Sequence, residues 1–110
     1  MASQVNVISA EAIIDRYDDL AELLTEAEVA IRDHAPSWTD TYCRRLVAAQ
    51  GLLTELISAL DLENGGPTAA NLFRIYDYMD FHIAQATLAY DPTAITQVKE
   101  LLRDLRKQIG

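Results

Sequence analysis

Apolar residues recur along this chain at alternating steps of four and three, the spacing that lines one face of an α-helix. In the first run they are Ile13, Tyr17, Leu20, Leu24, Ala27 and Ile31. The second holds Tyr42, Leu46, Ala49, Leu53, Leu56 and Leu60, widened on either side by Leu52 and Ile57. Leu72, Tyr76, Met79, Ile83, Ala86 and Tyr90 make the third, with Ile75 beside them. Ile95, Val98, Leu102, Leu105 and Ile109 make the last, with Leu101 on its edge. No run alternates strictly between apolar and polar, so the pattern predicts no strand.

Punctuation separates the runs. Ser9 suits an N-cap, its hydroxyl placed to accept from a free amide of the first turn. Asp33-His34-Ala35-Pro36 closes the first helix, and Ser37 or Thr39 opens the second. Asn64-Gly65-Gly66-Pro67 cannot continue a helix, because glycine accepts positive φ and proline lacks a donor; Pro67 suits a first helical position. Asp91 then caps the fourth helix, with Pro92 at its first position. The predicted helices cover about residues 10–34, 38–61, 68–89 and 92–108, after a loose N-terminal arm over 1–8. Short connections make consecutive helices antiparallel neighbours. The expectation is therefore an all-α, up-down-up-down four-helix bundle forming one domain over residues 1–110.

Charge narrows the range of partners. A net charge of −8 argues against nucleic acid and against anionic lipid surfaces, which both need a basic patch. Cys43 stands alone, which excludes a disulfide framework and fits a reducing compartment. No basic start followed by an apolar run marks a signal peptide, and no run is long enough to span a bilayer. The cytoplasm is the expected address.

The candidate chemistry is sparse. Metal sites in bundles use Glu-x-x-His on facing helices. Here Ile31 stands three residues before His34 and Met79 three before His82, and the apolar stripes hold no carboxylate. His34 reads as a helix-end residue, His82 as a boundary or surface residue, and Cys43 as a small buried apolar side chain. Gly65-Gly66 lacks the lysine and spacing of a phosphate loop. Asp15, Asp18, Asp19 and Glu22 read as a solvated face. The pattern calls for no catalytic residue, cofactor or metal.

The outer faces say more. At about 100° per residue, Phe81 lies opposite the core stripe of the third helix and Leu88 just beside it. Tyr78 flanks them, and Phe73 stands to the other side. With Val47, Ile57 and Leu101 they make the candidate partner-binding set, acting by apolar packing alone. In the plainer reading, neighbouring helices or the N-terminal arm cover these positions. A homodimer interface would leave the same trace.

Several of these residues also carry a resemblance. Leu60-Asp61, Gly65-Gly66, Ala69, Asn71-Leu72 and Tyr76-Asp77-Tyr78 look like the pattern of the flagellar export chaperones of flagellin, the FliS family. The likeness continues through Ala86, Asp91, Val98, Leu101-Leu102 and Leu105-Arg106. It implies a non-enzymatic cytosolic bundle that holds the C-terminal helical segment of flagellin. Such a protein prevents premature polymerisation and delivers the subunit to the flagellar type III export gate. The first third departs from the pattern. Asp15, Arg16 and Asp18 stand where the family is apolar, and the arm is reduced to Gln4 and Val5. The usual tryptophan after Leu105-Arg106 is missing. The alternative is a helical adaptor or dimerisation module without an export role, binding another protein through the same faces.

Overall fold

A computed structural model of the chain describes residues 5–109, in four helices: α1 (Ala10–Asp33), α2 (Trp38–Ser58), α3 (Gly66–Ala89) and α4 (Pro92–Ile109). Their ends follow the chemistry of the caps. Ser9 Oγ accepts from the Ala12 amide at 3.1 Å, and Asp91 Oδ1 accepts from the Thr93 amide at 3.0 Å. His34 and Tyr90 close α1 and α3 in the left-handed region, with φ of 50° at each. Ser37 precedes α2 with φ of 65° and makes no side-chain cap, so of the two predicted starts it takes the position without the hydrogen bond.

Interhelical pairs set the directions. Glu26 meets Arg45 and Arg16 meets Glu55, so rising numbers on α1 face falling numbers on α2. Gln50–Asp80 and Cys43–Tyr90 show the same for α2 and α3, and Glu28–Lys99 with Asp18–Arg106 for α1 and α4. Each helix packs on the two beside it, closing the ring α1–α2–α3–α4. This is the expected antiparallel four-helix bundle.

The stripes converge on one interior in which no charged residue is buried among those described. Three tyrosines reach its centre and satisfy their own hydroxyls, since a buried hydroxyl without a partner is costly. Tyr17 and Tyr76 bond to each other at 2.5 Å across the diagonal between α1 and α3. Tyr42 donates to the Ala86 carbonyl at 2.6 Å. Burial raises all three phenol pKa values, that of Tyr42 to about 12. Only the stripe ends depart from the pattern. Ile31, Leu72 and Ile109 are half-buried. Tyr90 is exposed, because its left-handed backbone swings the ring out of the stripe to stack on Tyr42 at 5.5 Å.

The α2–α3 connection differs from the sequence reading for a clear reason. Residues 59–61 leave the helix early and pair with the N-terminal strand of backbone. Val7 N–H donates to Ala59 O at 2.7 Å and Asp61 N–H to Val5 O at 2.8 Å, around an antiparallel bridge between Asn6 and Leu60. Residues 5–7 are thus tied down, where a loose arm over 1–8 is expected; residues 1–4, including Gln4, lie outside the described residues. Gly65 makes the junction possible. A Cβ there would stand 2.5 Å from both Asp61 O and the Ala69 Cβ, so no other residue fits without movement. Asp61 fixes the turn by accepting from the Asn64 amide and side chain, which holds its carboxyl below the usual range.

Candidate partner-binding face

The α2–α3 register follows from two contacts. Gln50 Nε2 donates to Asp80 Oδ1 at 3.2 Å, and the Cys43 thiol lies 3.7 Å from the Tyr90 hydroxyl. An antiparallel pair so aligned sets Val47 about level with Ala84 and Leu88, Gly51 with Asp80 and Phe81, Thr54 with Asp77, and Ser58 with Phe73 along the helix axes. Val47, Phe73, Phe81 and Leu88 are all exposed, Leu88 at 80% and Phe81 at 58% of their full surface. Large apolar side chains are normally scattered singly over a surface. Here four occupy one side of one helix pair.

The other three predicted residues sit differently. Tyr78 is exposed, its ring 4.2 Å from that of His82 on the same helix. His82 is half-buried between Tyr78 and Phe81. Ile57 and Leu101 are half-buried and packed on the core, Ile57 on the α3 side of α2 and Leu101 on α4. Val47, Phe73, Tyr78, Phe81 and Leu88 are thus exposed on α2 and α3, while Ile57 and Leu101 belong to the core's outer shell.

One groove escaped the sequence reading. Between α1 and α4 a cleft of about 440 Å³ has Tyr17, Ala21 and Leu102 in its lining. Ion pairs span it at Asp18–Arg106, 2.7 Å, and Glu28–Lys99, 2.6 Å. Partners 88 and 71 residues apart leave no local signal. Lys99 and Arg106 of α4 both reach across to α1.

His34 packs its ring on Trp38 at 4.3 Å, far from His82. Among the described residues no three His, Cys, Asp or Glu side chains converge as a metal site would require, and no helix is long and apolar enough to cross a membrane.

Comparison with known proteins finds matches. The family profile described as "Flagellar protein FliS" matches residues 2–108. A protein of Vibrio cholerae named "Flagellar secretion chaperone FliS" is 37% identical over 62 residues, covering 56% of this chain and 46% of that protein. "Flagellar secretion chaperone FliSB" of Pseudomonas aeruginosa is 36% identical over 58 residues, covering 53% and 46%. "Flagellar secretion chaperone FliS" of Salmonella typhimurium is 44% identical over 50 residues, covering 46% and 37%. The matched stretch thus spans less than half the length of each of these relatives.

Proposed function

This chain belongs to the FliS family of flagellar proteins, and on that premise we propose that it is a cytosolic secretion chaperone for flagellin. It binds the C-terminal helical segment of flagellin, keeps that segment from polymerising, and supports its passage to the type III export gate. The work is binding, and no bond is made or broken.

The observation that carries this reading is the line of exposed apolar side chains on the outer side of α2 and α3, above a core already complete without them. An amphipathic client helix needs an apolar strip to cover its own apolar face in water. The protein's acidic exterior keeps the loaded complex dispersed.

Titration calorimetry with a C-terminal fragment of flagellin tests the assignment. Phe81→Asp places a charge in the middle of the line and weakens binding by about tenfold or more. Helicity stays intact, because Phe81 supports no core contact. Unchanged affinity rejects the site. If the protein forms a symmetric dimer that buries the same line and leaves flagellin unbound, the adaptor reading replaces the chaperone one.

A further inference from the structure

Resting on that reading of the α2–α3 face, we propose that the face selects a basic amphipathic helix, one that sets a cation on Asp77 between apolar anchors packed on Phe73, Phe81 and Leu88. Phe73, Asp77, Phe81, Ala84 and Leu88 follow one another at steps of four, four, three and four, a single line along the outside of α3. Asp77 is the one polar residue in it. The line spans sixteen residues from first to last, roughly 22 Å, so it accommodates about four turns of a partner helix.

Asp77 has no cation on its own chain among the described residues. Arg74, one turn before it, donates instead to Asn71 Oδ1 at 3.2 Å. Thr54, about level with it on α2, turns its hydroxyl back to the Gln50 carbonyl at 3.1 Å. The neighbouring Asp80 differs, because Gln50 already donates to it. Asp77 is exposed and forms no hydrogen bond or ion pair with a side chain among the described residues.

Covering the line with an apolar helix removes the water around that carboxylate. A desolvated carboxylate is strongly unfavourable unless a cation or a set of donors replaces the solvent. A partner with lysine or arginine at this point completes the face, and one with glutamate or aspartate there is repelled. The α2 side permits close approach. Gly51 lies opposite with nothing within 4 Å of where a Cβ would be, and Ala84 is small.

The test uses the whole protein and two synthetic helices of roughly 18 residues. Both carry leucine at heptad-spaced contact positions; one has lysine between successive leucines, the other glutamate. On the unmodified protein the lysine helix binds about tenfold tighter by fluorescence anisotropy. Asp77→Lys reverses the order. Asp19→Lys makes the same change in net charge on the exposed side of α1 and leaves the order unchanged. Equal binding of the two helices, binding of neither, or a preference erased as fully by Asp19→Lys as by Asp77→Lys overturns the inference. A flagellin fragment that loses affinity on Phe81→Asp, while the helices show no charge preference, removes this inference and leaves the chaperone function standing. A fragment indifferent to Phe81→Asp removes the function itself.

Discussion

Tyr17 and Tyr76 show how far single residues could be read from the chain and where that reading stopped. Both fall on apolar stripes, and both are buried as the spacing predicts. Their mutual hydrogen bond is invisible in the sequence, because the partners lie 59 residues apart on helices that are not adjacent in the ring. The pairing makes the two hydroxyls interdependent. Tyr76→Phe leaves the Tyr17 hydroxyl buried without its partner and costs about 1–3 kcal/mol. Replacing both by phenylalanine costs less than the two single changes together, since no orphan remains. Urea denaturation of the two singles and the double checks this; strict additivity would mean that the hydroxyls act independently. Asp77 gives the opposite case. Its identity and its place on the outer line are written in the sequence, but that it has no counter-ion among the described residues emerges only when the neighbouring side chains are placed.

At the scale of the elements, helix existence and core faces were legible because each helix repeats its pattern over five or six apolar positions. The boundaries shifted where tertiary contacts intervened. Residues 59–61 have nothing in their own sequence to end α2; the backbone of Val5 and Val7 supplies the competing hydrogen bonds. The outer line on α3 was legible for the same reason as the core, since one helix carries all of it. Ile57 and Leu101 were not, because a helical wheel cannot separate the edge of a core from the outside of a bundle. The two helical-region glycines sharpen the distinction between local and tertiary causes. Gly65→Ala drives a methyl into the Asp61 carbonyl and costs about 1–3 kcal/mol. Gly51→Ala meets open space within a helix and stabilises by about 0.5–1 kcal/mol, yet it weakens client binding by holding the partner helix off. Thermal melts and flagellin titrations on both variants check the pair, and a stabilised Gly51→Ala with unaltered affinity contradicts close packing at that point.

Across the whole molecule, charge and apolar surface are segregated. α1 carries eight acidic side chains against two arginines, most of the net charge of −8. Its neighbour across the ring, α3, carries the exposed aromatics. A chain with this division gathers charge on one side and exposes large apolar side chains on another. The departures from the family pattern at Asp15, Arg16 and Asp18 belong to the same division, for they place charge on α1, where Arg16 and Asp18 bond to α2 and α4. The alignment with known relatives and the bundle were both foreshadowed by sequence; which side does the binding rests on the exposed line of α3 and its fit with α2.

The most direct test follows the methyl groups of valine and leucine by NMR while a C-terminal flagellin fragment is added. Val47 and Leu88, on opposite helices of the same face, should shift together and saturate with one affinity, while Val29 on α1 stays still. Shifts centred on Val29 or on Leu102 in the α1–α4 cleft, with Val47 and Leu88 unmoved, would contradict the account.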